Sequence, residues 1–235
     1  MGAGCGGGAV MGITYHRDLI QGSEEWLAAR CGLLTASEMK LIVTPSLKMA
    51  SNEKERTHLF ELLAQRITRY VEPSYISSDM LRGRDDEIEA RALYAKHYAP
   101  VSEAGFITND EWGFTIGYSP DGLVGDDGLV ECKSRRQKYQ VQAIVSGEMP
   151  DDYLMQVQTG LLVTGRKWLD FISYSGGLPM VPIRVYPDAR THDAILEAAS
   201  AFEDRLAKAH AVYIENVAKH RLIPTERRIE EEMYA

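Results

Sequence analysis

Gly117-Tyr118-Ser119-Pro120-Asp121-Gly122, followed after a short gap by Leu129-Val130-Glu131-Cys132-Lys133, is the stretch on which the reading of this chain turns. Phe114 to Tyr118 and Leu129 to Lys133 have the length and composition of strands. The turn signals Pro120-Asp121-Gly122 and Asp126-Asp127-Gly128 lie between them, so a hairpin is expected. Residues two apart on a strand face the same way. Glu131 and Lys133 therefore project together, Val130 and Cys132 project to the opposite side, and Asp121 comes beside Glu131 from the end of the preceding strand.

Two carboxylates and a lysine on one face are costly unless something organises them. A hard divalent cation of the Mg2+ type does so with one or two carboxylates. It can polarise a phosphate oxygen and activate water, while Lys133 orients the attacking water or offsets transition-state charge. On an edge strand the same Glu-x-Lys pattern is an ordinary solvated pair. The apolar neighbours Leu129, Val130 and Cys132 indicate an interior strand instead.

Outward from this core the chain alternates period. Ser23 caps a short helix through Arg30. Thr35 and Glu38 have capping-box spacing before a short apolar helix over Met39 to Val43, stopped near Pro45. Glu53 to Tyr70 is amphipathic through Leu59, Leu62, Leu63, Ile67 and Tyr70. Asp85 to Tyr98 is read as a helix with Ile88, Ala92, Leu93 and Ala95 inward. A helix is expected over Asp151 to Thr164, strands over Trp168 to Tyr174 and Met180 to Tyr186 around a Gly176-Gly177 turn, and a long helix from Thr191 to His220. Its apolar face runs through Ile195, Ala199, Phe202, Leu206, Ala209, Tyr213 and Val217. The expected class is α/β (α+β), a restriction-endonuclease-like core with a mixed central β-sheet flanked by helices.

The 235 residues suit one domain over 13–235, after a Gly-rich leader over 1–12 that lacks the basic and apolar regions of a signal peptide. Hydrophobic residues at 45% supply a core, and no apolar run is long enough for a membrane span. Cys5, Cys31 and Cys132 are too scattered for a disulfide framework or a CxxC metal site, which suggests a reducing, cytoplasmic setting. The net charge of −8 opposes nucleic-acid binding unless cations cluster locally. Arg135, Arg136 and Lys138 directly follow the core segment, and Arg82 and Arg84 precede Glu87, supplying local cations.

The core segment resembles the active site of the phage lambda exonuclease family, the YqaJ viral recombinases, within the PD-(D/E)XK nucleases. Further matches occur in order: Trp26-Leu27-Ala28-Ala29-Arg30 with Leu34-Thr35-Ala36-Ser37-Glu38, then Gly83-Arg84-Asp85-Asp86-Glu87 with Ala90-Arg91, then Met155-Gln156-Val157-Gln158. The resemblance implies that Asp121, Glu131 and the main-chain carbonyl of Cys132 hold Mg2+, with Mn2+ able to substitute. It makes Lys133 the catalytic lysine and Glu87 a helix carboxylate supporting a second metal. Arg30, Ser37, Ser119 and Gln156 correspond to a pocket for the 5′-phosphate of a DNA end. Arginine offers phosphate a bidentate fork, and serine and glutamine add neutral donors. Without the resemblance, Arg30 reads as a surface residue, Ser37 as a helix cap, Glu87 as part of a solvated acidic run and Gln156 as an exposed helix residue.

What the resemblance implies for function is a 5′-to-3′ exonuclease on linear double-stranded DNA. It would release mononucleotides and leave 3′ single-stranded overhangs for recombination by strand annealing. A homotrimeric ring around DNA, a single-strand annealing partner, and phage or prophage origin in a bacterial cytoplasm belong to the same expectation. Met80 and Leu81 are candidates for a strand-parting wedge or for plain core contacts, and Lys48 is a candidate DNA-threading residue in a divergent segment. The alternatives are a related endonuclease or RecB-like nuclease, and an inactive nuclease fold that only binds.

Overall fold

The computed structural model describes residues 12–73 and 78–227, with only the backbone for 78–80. The leader, apart from Gly12, and the Met80 side chain lie outside what is described. In chain order the elements are β1 (Ile13–His16), α1 (Glu24–Arg30), β2 (Leu34–Thr35), a 3-10 turn (Met39–Leu41), α2 (Glu53–Thr68), α3 (Ser78–His97), β3 (Phe106–Asn109), β4 (Ile116–Tyr118), β5 (Gly122–Val124) and β6 (Gly128–Ser134). Then follow α4 (Gln137–Ser146), a second 3-10 turn (Asp151–Tyr153), α5 (Leu154–Thr164), β7 (Trp168–Tyr174), β8 (Val181–Val185) and α6 (Ala189–Lys219).

Among the described residues the strands form two four-stranded mixed sheets, ordered β1-β3-β4-β2 and β5-β6-β7-β8. This changes the expected hairpin. The strand ending at Tyr118 does not pair with the Glu131 strand; β6 pairs instead with β5, in the register Gly122 opposite Val130. The turn that closes this hairpin is Gly125 to Asp127, and the Pro120-Asp121 segment is the link between the sheets. The parallel β6–β7 pair requires a long crossover, which α4 and α5 provide.

Eight residues of α5, among them Met155, Val157, Leu161 and Val163, are buried. A helix apolar on most of its surface belongs in the interior, and α5 packs on β3, β4, β7 and α6. Its neighbours Ile107, Ile116, Leu129, Phe171, Ile195 and Phe202 complete the main core. On the other face of the second sheet, α3 sets Ala90 and Tyr94 against Val130, Cys132, Ile172 and Tyr174. The two β6 faces thus separate as the period-2 reading requires. α2 is clamped to α6 by a forked Arg66–Glu203 pair at 2.7 Å and by Arg205 on the buried Glu55 at 2.5 Å.

Several local expectations are corrected. The inward face of α3 is Ala90 and Tyr94, whereas Ile88 is 61% exposed and Ala92 and Ala95 are exposed as well. Leu81 is also exposed, so it is not a core contact. Thr35 belongs to β2, and its hydroxyl donates to the Glu38 carboxylate at 2.6 Å; the expected apolar helix shrinks to one 3-10 turn. α4 was not expected: its Gln140 is buried and donates to the carbonyls of Ser173 and Pro179. The apolar stripe of α6 is covered through Leu206, while Tyr213 and Val217 are exposed.

Candidate active site

The site residues arrive on several elements, with Glu131, Cys132 and Lys133 together on β6. β4 ends at Tyr118, and Ser119-Pro120 carries the chain to Asp121 between the sheets. β5 begins only at Gly122 opposite Val130, so Cys132 has no β5 partner. The Cys132 N–H is met instead by Asp121, donating to Oδ2 at 2.6 Å. The main chain at Cys132 and the Asp121 carboxylate are thereby held together.

Glu131 and Lys133 share a face of β6, and Lys133 Nζ lies 2.7 Å from Glu131 Oε1. Gln156, at the first turn of α5, donates its Nε2 to the same oxygen. The Tyr118 hydroxyl donates to Oε2 at 2.8 Å. Glu87 enters from α3: the corrected helix face, with Ala90 and Tyr94 on the sheet, is what turns Glu87 toward Lys133. Arg91, one turn on, donates to the Asp121 carbonyl at 3.1 Å.

The electrostatics follow from burial. Asp121 is pushed up to about 8, first by desolvation and then by the charges of Glu131 and Glu87, against the opposing pull of Lys133 and the Cys132 N–H. Glu87 is raised too, by burial first, with Lys133 opposing and Glu131 reinforcing. Burial works against the charge on Lys133, but Glu131, Asp121 and Glu87 together outweigh it and hold the ammonium well above its ordinary range. Three carboxylates thus share one lysine.

On the adjoining wall, Arg30 stacks over Trp26 with its guanidinium carbon 4.2 Å from the ring centre and donates to Thr35 Oγ1 at 3.2 Å. Ser37 Oγ lies 3.3 Å from the same hydroxyl. The Trp26 indole donates to Ser119 Oγ at 2.9 Å. Burial lowers the pKa of Arg30 and the Glu38 charge raises it back in part. Arg30, Trp26, Thr35, Ser37 and Ser119 form a polar wall with a fixed guanidinium.

Asp121, Glu131, Lys133, Glu87, Arg30, Ser37, Ser119 and Gln156 all line one cavity of about 190 Å3. Cys132 does not line it, but its N–H donates to Asp121, which does. Tyr118, Thr35, Ala36, Phe106 and Gln21 also line the cavity and were not singled out as site residues in the sequence. Tyr118 lay inside the core motif, but a strand tyrosine gives no sign of which carboxylate its hydroxyl will find.

The donor set suits a hard divalent cation: all oxygen, with more negative charge than Lys133 balances. Among the described residues, no three acidic, His or Cys side chains are gathered into a ready-made metal cage. Lys133, Gln156, the Tyr118 hydroxyl and the Cys132 N–H are the donors on Glu131 and Asp121 instead. Asp121 and Glu131 are the residues that would hold the ion, with Glu87 beside them for a second one.

Residues 25–167 match the YqaJ-like viral recombinase domain. The chain belongs to this family. An alkaline exonuclease from Laribacter hongkongensis is 33% identical, with a TM-score of 0.75 over 84% of this chain and 99% of that one. The same exonuclease in complex with dAMP gives 34% identity and the same TM-score. A phage-related exonuclease from Haemophilus somnus 129PT shares the fold at 13% identity and a TM-score of 0.54, over 75% of this chain and 96% of that one. No curated protein matches the chain. Among the described residues, no helix is long and apolar enough to cross a membrane.

Proposed function

We propose that this member of the family is a Mg2+-dependent exonuclease. It digests one strand of linear duplex DNA from a 5′-phosphorylated end, releases mononucleotides and leaves 3′ single-stranded overhangs for recombination by strand annealing. One observation carries the reading. The acidic-plus-lysine group and the Arg30 wall, chosen from separate sequence motifs, line a single cavity.

In this reading Asp121 and Glu131 hold the ion, with the Cys132 carbonyl assisting, and Glu87 supports a second metal. When bound, the ion supplies Lewis-acid polarisation of the scissile phosphate and a more acidic water. Lys133 orients the attacking water and offsets charge as it builds on the phosphoryl oxygens. Arg30, Ser37, Ser119 and Gln156 grip the terminal phosphate and set the register of cleavage. A terminal phosphate carries more charge than an internal one, so the grip favours ends. We take the dAMP of the Laribacter complex as the product class for this chain. The reading extends to Mn2+ as a substitute ion, a homotrimeric ring, a single-strand annealing partner and a bacterial cytoplasmic setting. A ring would let cations line a channel on a chain of net charge −8.

The test is a digestion time course on 5′-phosphorylated, 5′-hydroxyl and closed circular duplexes, with and without Mg2+. The reading expects fast loss of the first, slow loss of the second and none of the third, all dependent on the ion. Cutting of circles would assign an endonuclease, and inert linear DNA in Mg2+ would assign a fold that only binds.

A further inference from the structure

The two oxygens of Glu131 have different partners. Oε1 meets Lys133 and Gln156, two long side chains that can move away. Oε2 accepts from the hydroxyl of Tyr118 at 2.8 Å. Tyr118 is 1% exposed and stands on β4 of the first sheet, whereas Glu131 stands on β6 of the second. The hydrogen bond therefore ties the sheets together at the site.

The tyrosine ring has little freedom. It stands against Gly160 of α5, where an added Cβ would come within 2.7 Å of Tyr118 Cζ. Only a residue without a side chain leaves the ring this place beside α5, and the close packing around the buried ring holds its hydroxyl toward Glu131.

We propose that Tyr118 is a positioning residue for the cation: its hydroxyl fixes Oε2 of Glu131, leaving Oε1 to exchange between Lys133, Gln156 and the ion. The inference rests on the metal reading of Glu131 given above. A ligand carboxylate held by a hydrogen bond loses less freedom when it coordinates, and loss of such a support weakens metal affinity by roughly tenfold to a hundredfold.

The experiment is a Mn2+ titration of the DNA-free protein, with the free ion read by electron paramagnetic resonance, on wild type, Y118F and Y94F. Tyr94 is the matched control. It is also buried and donates its hydroxyl to a carboxylate, Asp170 Oδ2 at 2.5 Å, but on the α3 side of the sheet. The dissociation constant of Y118F is expected to rise on the order of tenfold, with Y94F unchanged. Equal constants for wild type and Y118F overturn the proposal. An equal loss in Y94F also overturns it, by assigning the effect to general loosening. Wild type that takes up no Mn2+ removes the metal reading itself, an outcome distinct from both. If Y118F melts too early to titrate, G160A carries the test: its methyl displaces the ring with the hydroxyl intact, and an unweakened Mn2+ constant there overturns the proposal.

Discussion

The ammonium of Lys133 sits 2.7 Å from Oε1 of Glu131, two residues back on the same strand. That pair carries the first prediction. Lys133→Ala leaves Glu131, Asp121 and Glu87 without their shared cation and leaves the attacking water without its guide. Turnover should fall on the order of 10²–10³-fold, the usual cost of one well-placed charged donor. Duplex affinity, measured by fluorescence anisotropy with Ca2+ in place of Mg2+, should stay within a few-fold. Single-turnover kinetics near wild type would remove Lys133 from the chemistry.

Asp121 gives the pH prediction. An unfolded aspartate titrates near 4, roughly, and the folded one is pushed up to about 8 by burial and by its acidic neighbours. Between those limits the folded protein keeps a proton that the unfolded chain has released. The Asp121 contribution to stability is therefore full below about pH 4 and is lost as pH rises through about 8. Thermal melts in chelator should show wild type losing stability from pH 6 to 9 more steeply than Asp121→Asn. Because the ion needs the deprotonated carboxylate, the Mg2+ concentration for half-maximal rate should fall over the same range. Parallel melting slopes for the two proteins would remove Asp121 as the source.

Arg30 is fixed by the Trp26 ring and by Thr35, so its fork is preset for an anion. Arg30→Ala should lower kcat/KM on 5′-phosphorylated ends by on the order of tenfold to a hundredfold, from the loss of a charge-assisted contact of roughly 1.5–3 kcal/mol. The rate on 5′-hydroxyl ends should change little. Arg30→Lys should recover only part of the loss, because an ammonium lacks the planar fork. A phosphorylated-to-hydroxyl ratio that does not move would take Arg30 out of the pocket.

The chemistry was more legible in the sequence than the topology. Glu131 and Lys133 lie two apart, and strand geometry alone puts them on one face. Asp121 was placed beside Glu131, but through a hairpin that does not form. Local turn signals mark where a chain bends, and they do not say which strands will pair across the bend. Pro120-Asp121-Gly122 proved to be a link between sheets, and Asp126-Asp127-Gly128 closed the hairpin. Tyr118 stayed hidden for the same reason, since its partner is set by how two sheets meet. α4 was missed because its apolar Val141, Ile144 and Val145 are exposed while the buried side chains are the small Ala143 and the polar Gln140, so its apolar residues do not mark the face that packs.

The register of α3 is the sharpest of these disagreements and can be tested directly. Apolar spacing alone selects Ile88 as inward. The structure instead leaves Ile88 at 61% exposure and buries Ala90 and Tyr94, which pack on Val130, Cys132 and Ile172 while the Tyr94 hydroxyl donates to Asp170. That packing turns Glu87 toward the pocket, and Asp86 accepts from the Ser134 hydroxyl at 2.5 Å. Ile88→Lys should then change stability by less than about 0.5 kcal/mol in urea denaturation, as for other surface substitutions. Ala90→Lys should cost more than about 3 kcal/mol by placing an unpaired charge against Val130 and Ile172. The reverse ranking would rotate α3 back to the apolar-spacing register and carry Glu87 away from Lys133, and with it the third carboxylate of the site.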